Sequence, residues 1–244
     1  MRALRTYLLL CRWTILRLKG FLPLAIVVQA LFAVGIVLGY PLLFPEIDRL
    51  TVLFLATGAP ALSLITMGLV AVPQLVARAR TEGSLEYMRS LPVPRIVHLL
   101  ADLSVWLMIV LPGVVFAIVL AAARFDLELT VSPLVVPALG LVALTACCVG
   151  YALASVLPPA VAMLVTQVLV VFILMFSPLN FPAERLPGWL AAIHAVLPIQ
   201  AMGELVRGTL AGDVFALEGR SWLLLAAWCV GSFAVVWKAL ERRG

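Results

Sequence analysis

Few side chains in this chain could do chemistry, and they lie far apart. The two histidines, His98 and His194, fall on opposite predicted sides of the membrane, and neither has the spaced cysteines or carboxylates of a metal site. Cys147 and Cys148 are adjacent in one apolar run, Cys229 lies in another, and Cys11 sits near the basic start; they read as small buried hydrophobes, not a disulfide framework. Leu10, just before Cys11, is too large for the small residue of a lipoprotein cleavage site, so no cleaved signal is expected. A Walker phosphate cradle cannot be built, because no G-x-x-x-x-G-K-[ST] occurs and the only lysines are Lys19 and Lys238. Ser84 lacks the strand-to-helix elbow of a hydrolase nucleophile. Asp102, at the start of an apolar stretch, is expected to be solvated near the membrane face, which disfavours an ion-coupled carrier.

What remains is mechanical. Residues Arg78 to Arg95, RARTEGSLEYMRSLPVPR, interrupt two uncharged stretches with four arginines and two glutamates. Thr81 or Ser84 is expected to cap a short helix, with Glu82 and Glu86 at the end where the helix dipole favours negative charge. Leu85, Met88 and Leu91 fall on one face, and Pro92-Val93-Pro94 ends the helix and redirects the chain. Such a segment can be pushed by a partner.

The elements that must position it are membrane spans. Of the 244 residues 64% are hydrophobic and 12% charged, against roughly 25% charged in a soluble domain. A span takes about 20 apolar residues. Six stretches qualify, at 21–40, 51–76, 99–123, 131–157, 160–176 and 221–238, within one transmembrane domain covering 1–244. The fourth and fifth are parted only by Leu157-Pro158-Pro159, which predicts a tight helical hairpin. Residues 77–98 form the polar segment and 177–220 a largely apolar one on the other side. With six spans the termini share a side, which collects twelve of the seventeen lysines and arginines, leaving five opposite. The positive-inside rule then puts both termini and residues 77–98 in the cytoplasm. Trp13, Tyr40, Trp106, Trp189, Trp222 and Trp237 are expected as interfacial anchors.

Residues 1–20 form an element of their own. Arg5, Arg12 and Lys19 recur every seven residues while Leu8, Leu9, Ile15 and Leu16 fill much of the remaining surface, the pattern of a basic amphipathic helix in the interface or of a solvated positive flank. In 177–220, Pro187 is expected to open a helix to about Leu197 and Pro198 to break it. A second helix then runs from about Gln200 to Leu210. The pair reads as half-buried and re-entrant, or as a surface-lying cap.

The phrase TEGSLEYMRSLPVPR resembles the E-G-[TS]-L-E-x-L-x-x-[LT]-P-[VL] segment of the membrane subunits of type-2 ATP-binding-cassette exporters. LNFPAERLPGWLAAIHAVLPIQAMGELVRGTLAGD is similar to the same family's stretch between spans five and six. The resemblance covers nearly the whole chain and implies an all-α integral membrane fold of six transmembrane helices with an N-terminal interface helix, a cytoplasmic coupling helix and two re-entrant helices. It also implies a non-catalytic permease that works with a second permease, identical or related, and two ATPase subunits that bind ATP and magnesium. No cofactor in this chain and no nucleic-acid partner are expected.

Carried onto this sequence, Glu82, Gly83, Ser84, Leu85, Glu86, Arg89, Leu91 and Pro92 would form the coupling helix, with Arg5 and Arg12 on the interface helix beside it. Phe181, Pro182, Leu186, Pro187 and Pro198 would belong to the outer gate. Ser63, Thr66, Thr166 and Gln167 would line the substrate path, or else hydrogen-bond across packed helices. The absence of a fused ATPase fits a bacterial inner-membrane system. The outer segment resembles that of daunorubicin-type permeases, implying export of a drug, antibiotic or lipid-like amphiphile. A haem-exporter-type permease of cytochrome c maturation, or a scaffold that recruits a partner without transport, are the alternatives.

Overall fold

The computed structural model describes residues 2–20, 22–39, 48–83, 93, 95–127, 129–179 and 181–242, and among them all regular structure is helical. Helix α1 (Arg2–Leu18) precedes the first span, α2 (Leu22–Val34) with a wide turn at Gly35–Gly39. The second span joins α3 (Arg49–Thr66) to α4 (Val72–Thr81) through a π turn at Met67–Ala71. The third, fourth and fifth are α5 (Arg95–Phe125), α6 (Val135–Val156) and α7 (Pro159–Phe176). Two short helices, α8 (Gly188–His194) and α9 (Pro198–Leu210), precede the sixth span, α10 (Gly219–Arg242). Among the described residues, six helices are long and apolar enough to cross a membrane.

The second span is the enclosed centre of the bundle. Residues Leu53–Ile65 are buried continuously, which explains why its sequence is apolar all round, without a polar stripe. Its π turn has a visible cause. The Val72 amide reaches back five residues to the Met67 carbonyl, and Pro73 beside it has no N–H to restore the regular ladder.

Small residues let the fourth span approach this turn closely. A methyl group added at Gly150 would lie 2.0 Å from the Gly68 carbonyl oxygen, and one at Gly68 would lie 2.3 Å from Ala146 Cβ. Backbone contact of this kind replaces the hydrophobic driving force that lipid removes.

Three expectations change. The Leu157-Pro158-Pro159 turn is tight, but the fifth span packs chiefly on α4 instead of folding back along the fourth. Trp106 is no interfacial anchor; it is buried beside Asp102 and Tyr151. The second short helix is not half-buried, because almost every residue from Pro198 to Leu210 is enclosed by the second, fourth and sixth spans.

Gly150→Ala is expected to destabilise the purified protein by on the order of 1–3 kcal/mol through overpacking. Gly140→Ala on the same helix, where an added methyl meets nothing within 4 Å, should leave the thermal midpoint unchanged.

Candidate functional site

Residues 84–92, which carry Ser84, Leu85, Glu86, Met88, Arg89, Leu91 and Pro92 of the expected coupling helix, lie outside the described residues. The two helices leading into and out of them are described, and each is anchored. On the entry side Thr81 Oγ1 donates to the Arg78 carbonyl at 2.8 Å and the Glu82 amide to the same carbonyl at 2.9 Å. Thr81 and Glu82 thus satisfy the free Arg78 carbonyl at the C-terminus of α4. Gly83 follows at φ +72°, the left-handed conformation that ends many helices and favours glycine.

One turn earlier, Arg80 reaches across to the fourth span. Its guanidinium donates through Nη1 to the carbonyls of Ala154 and Leu157, the latter at 2.7 Å. A cation at a helix C-terminus meets the negative end of the dipole as well as free carbonyls.

On the exit side the anchor is Asp102, in the second turn of the third span after His98. It is 3% exposed, not solvated. Thr14 Oγ1 of α1 donates to its Oδ1 at 2.8 Å, Tyr151 of the fourth span donates to its Oδ2 at 3.1 Å, and His98 Nε2 lies 3.7 Å from Oδ2. A buried carboxylate is tolerated when its oxygens are hydrogen-bonded. Tyr7 Oη donates to Ser104 Oγ at 2.7 Å and Cys11 Sγ to the Ala101 carbonyl at 3.9 Å, so α1 is stitched along the same helix. Its Leu10, Thr14 and Leu18 face inward, while Arg5, Arg12 and Lys19 are exposed on the far side with Leu8, Leu9, Ile15 and Leu16 exposed on their flanks.

At the opposite end of the bundle, α8 and α9 meet at 76° and return the chain to the side from which it came. Pro187 precedes α8, which stops at His194, short of Leu197; Pro198 is the first residue of α9 and starts that helix as well as ending the previous one. The turn between them lies well down the sixth span, since Trp228 Nε1 donates to the Val196 carbonyl at 2.9 Å. Arg207 of α9, one of the five cations counted on the side opposite the termini, is 5% exposed. Its Nη2 donates to the Leu179 carbonyl at 2.8 Å and its guanidinium carbon stands 4.0 Å from the Phe54 ring centre and 5.4 Å from that of Phe215. Glu204 accepts from Gln200 Nε2 at 2.7 Å and Ser221 Oγ at 2.6 Å, joining α9 to the sixth span. His194 is fully buried and stacks on Phe172 with centroids 5.9 Å apart. At the rim Thr130 Oγ1 donates to Asp213 Oδ1 at 2.6 Å, and this bond holds the Asp213 carboxyl below the usual range; a bond from Thr51 does the same to Asp48.

Of the four residues assigned to a path, Ser63 is buried and donates to the Ala59 carbonyl of its own helix, and Thr66 donates to that of Leu62. Thr166 is buried and accepts from Gln74 Nε2 at 3.3 Å, a bond between the second and fifth spans; Gln167 is exposed. Phe181, Pro182 and Leu186 are half-buried, Pro187 is exposed and Pro198 is buried.

Thr14, Arg80, Tyr151 and Arg207 had no assigned role in the sequence pattern. A signal existed for the first: Tyr7, Leu10, Thr14 and Leu18 recur at spacings of three and four, marking a protein-facing side of α1 distinct from its leucine flanks.

No curated protein matches this sequence. The family model described as ABC-2 family transporter protein matches residues 46–238, most of the chain and all but the first of its spans. With its multi-pass helical bundle, the protein therefore belongs to the ABC-2 transporter family and is a membrane subunit of a transport system.

Proposed function

We propose that this chain is the permease half of an ATP-driven exporter in a bacterial inner membrane, with both termini and residues 84–92 in the cytoplasm. A second permease, identical or related, completes the path, and two separate ATPase subunits supply energy from ATP and magnesium. The excess of lysine and arginine on the terminal side supports this orientation. A drug, antibiotic or lipid-like amphiphile is the substrate class, supported by the outer segment's resemblance and by spans whose surface is mainly apolar, with Asp102 bonded to neighbouring helices.

One observation carries this reading: the helices on both sides of residues 84–92 are bonded to the same short stretch of the fourth span, Tyr151 to Leu157. A push on the segment is then delivered to the second, third and fourth spans together, with α1 carried along through Thr14. ATP binding would draw the ATPase subunits together and displace residues 84–92. The spans would rock against the second permease, and the α8–α9 pair would part from its counterpart to release substrate outward. Gln74 and Thr166, joining the second and fifth spans, keep the path-lining helices in step.

Leu85→Asp and Glu86→Arg are expected to abolish co-purification of the ATPase subunit or, where it still binds, transport in sealed vesicles. Normal values of both in both variants would remove the proposal, and retained binding in a native chain that never transports would leave a scaffold. Asp102→Leu should strand the Thr14 and Tyr151 hydroxyls at a cost of about 1–3 kcal/mol. Transport per ATP hydrolysed should fall about tenfold, the equivalent of roughly 1.4 kcal/mol, while Asp102→Asn retains most of it. Equal coupling in the leucine and native proteins would dissociate this buried acid from energy transfer.

A further inference from the structure

Between the fourth and sixth spans a groove of about 580 Å³ opens sideways from the bundle. The two helices are pinned at Thr145, whose hydroxyl donates to the Leu225 carbonyl at 3.4 Å, and the groove runs from there toward Leu157. Leu153 and Val156 form one wall and Leu224, Trp228 and Val235 the other, with Gly231 leaving open space where a methyl group would meet nothing within 4 Å.

On α10, Leu224, Trp228, Gly231 and Val235 recur at spacings of four, three and four, a single stripe on the helix surface. The stripe is about 16 Å long, close to half of a hydrocarbon core of roughly 30 Å. One turn beyond Val235 the same stripe presents Lys238, which is exposed. The groove is thus an apolar trough of one leaflet's depth that ends in a cation.

We infer that this groove binds one acyl chain of an anionic phospholipid, with Lys238 holding the headgroup phosphate. Charge complementarity separates this occupant from a second copy of the chain. Among the described residues, Asp48, Asp126, Glu184, Glu204, Asp213 and Glu218 lie on the opposite side of the bundle and Asp102 on the near side is buried, so another copy has few acids with which to meet Lys238. An anionic headgroup at the membrane surface meets it directly, and one lysine there favours an anionic over a zwitterionic lipid about fivefold. Naming this leaflet cytoplasmic rests on the orientation proposed above; the site itself does not.

The test uses the full chain in phosphatidylcholine vesicles containing a minor fraction of dibrominated phosphatidylglycerol or dibrominated phosphatidylcholine. Tryptophan quenching is read, and the Trp228 part is taken as the difference from Trp228→Phe. Quenching of Trp228 is expected to be several-fold stronger with the brominated anionic lipid, to lose that preference in Lys238→Gln, and to fall with both lipids in Gly231→Phe. Equal quenching by the two lipids in the native chain would overturn the headgroup assignment, and undiminished quenching in Gly231→Phe would overturn the groove. Efficient disulfide cross-linking of Gly231→Cys between copies would make the face an interface and overturn the lipid. No ATPase partner or transport enters the measurement, so its failure is distinct from failure of the permease reading.

Discussion

Everything on the terminal side of the bundle depends on two polar groups finding the same helix end. Arg80 comes from the second span and Asp102 from the third, and both are satisfied by the last turns of the fourth. Neither could remain in an apolar setting alone: a guanidinium or carboxylate without partners would be too costly to bury. Each charge therefore forces its helix to a defined position, which apolar packing in lipid specifies only weakly. The close approach of Gly150 to Gly68 completes the arrangement, since it lets the fourth span come near enough for both bonds to form.

The far side solves a related problem differently. Helix α9 sits inside the bundle, and an arginine within it would be costly unless its charge were offset. Two aromatic faces and the Leu179 carbonyl do this, with Phe54 supplied by the second span. Cation–π contact in a desolvated setting contributes on the order of 2 kcal/mol. It also ties α9 to the start of the second span, as Arg80 ties that span's end to the fourth. Movement of α9 without movement of α3 would uncover the guanidinium.

The helical, six-span character was legible in the sequence because membrane spans need long uncharged runs, and such runs leave little ambiguity. The family was legible in short phrases around Glu82 and Pro187. Burial within the bundle was not. Apolar composition is the same whether a helix faces lipid or protein, so α9 read as half-buried and Trp106 as interfacial, although both are enclosed. Asp102 misled for a physical reason: a carboxylate near a span end is usually solvated, and only the approach of Thr14 and Tyr151, 88 and 49 residues away in sequence, permits its burial.

The length of the second span has a geometric consequence. From Arg49 to Thr81 it covers 33 residues, about 50 Å of helix at 1.5 Å per residue, with Phe54 under the buried arginine near one end and Arg80 at the other. A rod of that length amplifies rotation: pivoting by about five degrees around one end carries the other through roughly 4 Å. The π turn at Met67–Ala71 interrupts the regular ladder partway along this arm, at the point where the fourth span packs against it. The ratio of motion between the two membrane faces would be set by where along this arm Gly68 meets Gly150.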